Sequence, residues 1–310
     1  MYNKKLFLLV LFLCMPLCMV SQSRVLPIME IPVSADALAL GNAIHGISNT
    51  SYIYTNPLCF LKHGKSWSTD YSMVVIPTDD IVGTLHSVTA AYKWSNQALL
   101  VGGRYYNMGK METFVDDDMQ EMSKKELYRL YSYTFDIGYT VNIFEKFSIY
   151  INTGYVQEKT LTKIQAFRSN FGADYFNSWG DKIDYTLGLY IRNCGKFYYN
   201  NHNEFLSPCI GLGGNMEWSP FTRHKLLACL DVGIYTPTGV MKKETEVNGG
   251  IGYSYNNISL RVGGFWSNSA DYLAASLCYR WRMFGVSVAT SFPFHKENNN
   301  LYSVGLQFEW

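Results

Sequence analysis

The stretch Asn300–Trp310, NLYSVGLQFEW, alternates from Tyr302 to its last residue. Tyr302, Val304, Leu306, Phe308 and Trp310 fall on one side, and Ser303, Gly305, Gln307 and Glu309 fall on the other. Period-two alternation marks a strand with one apolar face. The final residues of soluble domains usually fray. Here they read as an ordered strand carrying large aromatics, so the fold turns on which solvent the apolar face meets.

The other end narrows the choice. Lys4 and Lys5 precede an apolar run from Leu6 to Val20, and Ser21-Gln22-Ser23 supplies small residues at its exit. That pattern predicts a secretory signal peptide over residues 1–22. The run falls short of the ~20 residues a spanning helix needs. The remainder holds no long apolar segment, although 48% of the chain is hydrophobic, 16% is aromatic, and Tyr occurs 24 times. Aromatic and β-branched residues favour strands. A net charge of +1 gives no basis for nucleic-acid binding. Cys59, Cys194, Cys209, Cys229 and Cys278 are scattered, with neither zinc spacing nor a disulfide framework.

Alternation continues through candidate strands at 66–76, 85–94, 97–108, 129–142, 145–157, 182–192, 196–201, 206–218, 223–236, 243–255, 257–267, 271–282, 284–293 and 300–310. Short joints at 95–96, 143–145, 193–195, 219–222, 256 and 283 alternate with longer polar links, among them 109–128, 158–181 and 294–299. Short turns at one end and long loops at the other are the plan of outer-membrane barrels. A soluble β-sandwich would show the same alternation, but it has no reason to segregate its loop lengths. Trp94, Trp218, Trp281 and Trp310 lie near strand ends, where a membrane–water boundary places such rings. The expected fold is an all-β transmembrane antiparallel barrel of about 14 strands, with residues 66–310 as the barrel and 23–65 as an N-terminal helical plug. The lipid bilayer is then a partner. The ending on Phe308 and Trp310 resembles the C-terminal signal that bacterial outer-membrane assembly machinery reads, which implies a Gram-negative outer membrane.

Residues 31–64 break the strand pattern. Ser34 precedes ADALAL, good helix formers, and Gly41-Asn42 stops the turn. Asn56-Pro57 suits a second helix or turn start. The short Ala-rich helix ADALALGNA with Asp36, followed by TNPLCF, resembles the N-terminal region of the PorV/PorQ family, relatives of the FadL-type long-chain fatty acid channels. Asp36 stands where that family usually has Arg, Leu40 where it has Met, and Leu58 where it has Ala. The stretches 85–109 and 224–237 are also similar. The resemblance implies a fourteen-stranded barrel with an N-terminal hatch built around Asp36, Gly41, Asn42, Asn56 and Pro57. It implies one of two roles. One is an accessory of type IX secretion, docking secreted cargo proteins on the loops 109–128 and 158–181. The other is a FadL-like channel for small hydrophobic molecules, with an apolar pocket between hatch and wall and a break in one strand, for which Gly102-Gly103 is the candidate.

The alternation turns Arg104, Asp136, Asp184, Asp231, Arg261 and Arg280 inward. Inward charges are normal in a polar lumen, where they either line a path or neutralise one another around the plug. Asp116, Asp117 and Asp118 lack the spacing of a calcium loop and read as a solvated surface run. GLGG at 211–214 lies within a strand and is no dinucleotide fingerprint. The six histidines show no metal spacing, and no catalytic constellation stands out. No enzyme activity, cofactor or metal is expected.

Overall fold

The computed structural model describes residues 26–46, 50–62, 64–78, 81–115, 124–200, 202–238, 243–295 and 299–310. The expected signal peptide and the run Asp116–Asp118 lie outside these residues. In the first half of the chain come β1 (Trp67–Pro77), β2 (Val82–Trp94), β3 (Gln97–Val115), β4 (Lys124–Phe144), β5 (Phe147–Lys159), β6 (Lys163–Trp179) and β7 (Ile183–Tyr199). After them come β8 (His202–Phe205), β9 (Cys209–Phe221), β10 (His224–Tyr235), β11 (Glu244–Tyr255), β12 (Ile258–Ser267), β13 (Asp271–Trp281), β14 (Phe284–Pro293) and β15 (Tyr302–Glu309).

Every neighbouring pair is antiparallel, and the ring closes on itself. β1 pairs with β15 from Ser68↔Glu309 to Val75↔Tyr302. β6 pairs with β7, and β7 pairs with β9 from Ile183↔Trp218 to Arg192↔Cys209. The short β8 pairs only with the far end of β7, Lys196–Tyr199. The wall is therefore a closed barrel of fourteen strands, and β8 is an appendage at its rim. A closed ring leaves no unpaired backbone edge along the wall.

The count of fourteen agrees with the sequence reading, but two members differ. Residues 163–179, expected within a loop, form β6; the segments 182–192 and 196–201 are one strand, β7. The joint at 193–195 is a bulge within it, where Asn193 takes a positive φ of 60° and the pairing with β6 slips between Ser169 and Phe171. β6 escaped the pattern because its inward face is mixed. Ala166 is buried beside buried Arg168 and Asp174, while Phe167, Phe171 and Tyr175 face out. Gly102 and Gly103 pair normally with Asp136 and Phe135, so the strand is unbroken there.

Tight connections at 95–96, 145–146, 180–182, 222–223, 256–257 and 282–283 share one end of the barrel. The chain closes at that end too, with the Trp67 amide donating to the Trp310 carbonyl at 3.0 Å. Six of the seven tryptophans (67, 94, 179, 218, 281 and 310) sit at this rim; Trp266 lies at the other. Trp67 and Trp310 stack at 5.7 Å across the closing seam. Between the rims the outer face is apolar: Phe135, Leu189, Leu212 and Ile251 are 63%, 64%, 60% and 66% exposed. A continuous apolar belt of this extent, edged by aromatic rings, suits hydrocarbon and not water.

Residues 26–46 and 50–62 lie inside the ring. A 3₁₀ turn (Pro27–Met29) leads to α1 (Ala35–Ala39), and α2 (Pro57–Lys62) follows. Ser34 caps α1, its Oγ accepting from the Ala37 amide at 3.2 Å. Asn56 opens α2 by accepting from the Leu58 amide at 3.0 Å. α1 packs against β12 to β15 and α2 against β2 to β5, so the segment reaches both sides of the lumen. At the end of α1 the chain presses on the wall. Gly41 has φ +66°, and a Cβ there would lie 1.8 Å from the Gly264 carbonyl oxygen.

The belt yields a direct test. Leu189→Arg, at mid-height on the outer face of β7, is expected to destabilise the lipid-inserted protein by about 2–4 kcal/mol. On a water-exposed surface the same change stays within about 0.5 kcal/mol. Urea unfolding in vesicles separates the two outcomes.

Candidate functional site: the barrel lumen

The lumen has three levels. Outermost, toward the longer connections, Val74, Leu85, Val156, Ala166, Phe197 and Leu206 are buried and form one apolar cluster with Leu26 and Ile28 of the N-terminal segment. This departs from the usual polar barrel interior. Phe197 joins it because the bulge at Asn193 shifts the face of β7: Thr186 and Tyr190 are buried below it, Phe197 above.

Beneath the apolar compartment lies a charged level. Arg104 donates from Nη1 to the Ile28 carbonyl at 2.9 Å and from Nε to Thr134 Oγ1 at 3.3 Å. Its guanidinium stacks 4.4 Å from the centre of the Tyr54 ring. Asp136 accepts from Arg168 at 2.9 Å. Asp36 of α1 pairs with Arg261 of β12, and both are buried.

The most elaborate contact centres on His45. Its Nδ1 lies 2.7 Å from Asp231 Oδ1 on β10, and its Nε2 lies 3.1 Å from Asp174 Oδ1 on β6. Its amide donates to Asp231 Oδ2 at 2.8 Å, and its carbonyl accepts from Asn215 Nδ2 at 2.6 Å. Asn56 Nδ2 donates to Asp174 Oδ2 at 2.8 Å, tying a second point of the segment to the same carboxylate. Burial draws the imidazole pKa down, but the hydrogen bonds and charges of Asp174 and Asp231 outweigh it, and the pKa rises to about 10. His45 is therefore an imidazolium at neutral pH, a cation shared by two buried carboxylates.

The wall is shaped to hold these carboxylates. Asp174 pairs in register with Gly188, Asp231 with Gly213, and Asp136 with Gly154. A Cβ on these glycines would lie 2.2, 1.5 and 1.9 Å from the facing carboxylate oxygen. Each aspartate lies flat across a neighbouring strand only because that strand has no side chain there.

At the short-turn end a cavity of about 370 Å³ is lined by Lys62, Asp184, Glu217, Lys225, Arg261 and Arg280, among others. Lys62 donates to Thr186 Oγ1 at 2.9 Å. Arg280 donates to Gln307 Oε1 at 3.1 Å and lies 3.5 Å from Glu309. Tyr52 of the segment also donates to Glu309, at 3.2 Å.

The residues singled out from sequence thus separate. Asp36, Asp231, Arg261 and Arg104 meet the N-terminal segment or belong to it. Asp136 pairs within the wall, and Asp184 is exposed at the mouth, accepting from Ser178 at 2.6 Å. Asn42, like Gly41, has positive φ, 61°, where α1 ends. Phe308 and Trp310 pack together at the short-turn rim, 4.8 Å apart. Sequence reading missed His45, Asp174, Arg168 and Asn215. The signal for Asp174 was present, six residues from Arg168 on the same face of an unrecognised strand; a lone histidine between two helices gave none.

Neither protein-family models nor curated proteins match the chain. Solved structures do. The toluene transporter TodX of Pseudomonas putida superposes with a TM-score of 0.59 at 9% identity, covering 89% of this chain and 96% of that one. The toluene transporter TbuX of Ralstonia pickettii gives 0.59 at 9%, covering 89% and 98%. The monoaromatic hydrocarbon channel CymD gives 0.58 at 11%, covering 90% and 98%. At such identities the likeness is one of fold.

Removing the shared cation tests the central contact. His45→Gln leaves two buried carboxylates without their counter-ion and is expected to cost about 3–5 kcal/mol. The sign of the pH dependence follows from the raised pKa. Above the ordinary value near 6.5 the unfolded chain loses the proton while the folded one keeps it. The stabilisation is whole below that pH and declines as pH climbs to about 10. Unfolding of the native protein across this window should show the decline, and the His45→Gln variant should lack it.

Proposed function

We propose that the chain is an outer-membrane channel that takes up small hydrophobic molecules, with residues 26–62 as its plug. The carrying observation is the outer compartment, where aliphatic and aromatic side chains face a lumen that is charged further in. A pore for ions or sugars has no use for Val74, Leu85, Val156 and Phe197 at its outer end. An apolar solute does, and it would gain the favourable transfer from water that now falls to Leu26 and Ile28. The named activities of the fold neighbours, transport of toluene and of monoaromatic hydrocarbons, support the same direction.

The two halves of the plug are held differently. Residues 36–56 are fastened by charge-assisted bonds to β6, β10 and β12. Among the described residues Leu26 and Ile28 are held by apolar contact and by one arginine bond to a carbonyl, with Glu30 beside them accepting from Tyr235. Uptake would begin with the solute replacing Leu26 and Ile28, while the lower half stays in place.

The secretion-accessory reading draws no support from these features. Most of its proposed docking loop 158–181 is the strand β6, and much of 109–128 is also strand.

The test is transport by intact cells carrying the barrel. Val156→Asp puts a carboxylate into the apolar compartment and is expected to reduce uptake of labelled ethylbenzene about fivefold or more, at unchanged barrel abundance. Uptake equal to that of the native barrel would sink the reading.

A further inference from the structure

Arg104 stands apart among the lumen arginines. Arg168, Arg192, Arg261 and Arg280 each have a carboxylate within ion-pair distance. Among the described residues Arg104 has none, although the residue is only 4% exposed. Nη1 has the Ile28 carbonyl and Nε has Thr134, while Nη2 has no acceptor among the described residues. The two acidic groups whose charge reaches it have other direct partners: Asp136 bonds Arg168 and meets Arg104 only through Thr134, and Glu30 accepts from Tyr235.

Its position gives the unpaired cation a meaning. Arg104 faces Ser87 across β2, and two residues further along the same inward face Tyr106 pairs with Leu85, a wall residue of the apolar compartment. Arg104 is thus the floor of that compartment. Its acceptor there is the backbone of Ile28, the residue whose side chain fills the space.

The consequence is a constraint on any solute that takes the place of Ile28. When the carbonyl leaves with the segment, both terminal nitrogens of a buried guanidinium lack acceptors. A plain hydrocarbon leaves them so, and an unsatisfied charged donor is expensive. A molecule with an apolar body and one accepting oxygen restores what the Ile28 carbonyl supplied. Sites built to hydrogen-bond a polar group discriminate strongly against analogues that lack it.

We propose that Arg104 sets the specificity of the outer compartment, favouring apolar molecules that carry a hydrogen-bond-accepting oxygen over hydrocarbons of the same shape. This rests on the uptake reading and refines it.

Acetophenone and isopropylbenzene form a near-isosteric pair differing in one carbonyl. Binding of each is measured to the full barrel in lipid nanodiscs, with empty discs correcting for partition. Acetophenone is expected to bind about tenfold tighter or more. Arg104→Met, which removes an unpaired buried cation and so should still fold, is expected to bring the pair within about twofold. Folding is checked by heat-modifiable gel migration. If Arg104→Met fails to fold, Arg104→Lys takes its place, keeping the charge but losing the planar fork, and a ratio reduced about threefold or more supports the assignment. A native ratio near unity, or a ratio that either folded variant leaves unchanged, overturns the role of Arg104 and leaves the uptake reading standing. Binding of neither probe to the native barrel overturns the uptake reading, and this refinement with it.

Discussion

A fourteen-stranded ring is too wide for its own inward side chains to fill. Eight strands leave a space that side chains can occupy, and sixteen leave an open aqueous channel. Here the gap is met by chain: residues 26–46 and 50–62 occupy the lumen, and much of the structure follows from seating them. Backbone inside the ring carries polar groups that must find partners. Those partners are wall side chains such as Asn152, which donates to the Ile53 carbonyl at 2.9 Å, and Asp70, which accepts from the Ser51 amide at 3.1 Å. Below the apolar level the inward face of the barrel is therefore polar for a structural reason before any solute is considered.

Seating the segment also demands room, and glycine provides it in register. Asp136, Asp174 and Asp231 each lie across from a glycine on the next strand. The same device holds two inward tyrosines: Tyr150 lies over Gly172 and Tyr190 over Gly211, each within 2.2 Å of where a Cβ would stand. Large inward groups fold flat against the wall, and the centre stays free for α1, α2 and the chain between them. A glycine-to-alanine change at these sites would push a carboxylate or a ring into the segment, not merely stiffen a strand.

The outer face was legible because it obeys one rule. Period-two alternation of Leu187 and Leu189 against Thr186, or of Val304 and Leu306 against Ser303 and Gly305, needs no knowledge of partners. The inward face obeys no such rule, since its chemistry changes with depth. β6 was lost for that reason: Ala166 faces the apolar compartment, Arg168 the charged level and Asp174 the imidazolium, all from one face. The turn expected at 193–195 is a bulge because Asn193, like Ser95 and Asn256 in real turns, takes a positive φ. Local sequence does not separate a bulge from a reversal; the pairing of β7 on both sides does. The site at His45 was illegible for a different reason. It joins positions 129 and 186 residues apart, and register alone brings Asp174 and Asp231 to the same imidazole.

On the proposed uptake reading, the order of levels along the lumen constrains where the barrel would open. A charge-assisted contact such as His45 with Asp174 and Asp231 loses more when broken than apolar side chains lose when exchanged for another apolar body. The segment is thus weakest where the compartment is greasiest. Leu26 and Ile28 can be traded for a solute with little net change in buried apolar surface, whereas displacing His45 strands two carboxylates in a site shielded from water. A barrel built in this order yields first at its outer end and last at its centre. The lumen beyond the compartment then has to be passed around the fastened half, toward the mixed-charge cavity at the short-turn mouth, and not through its removal.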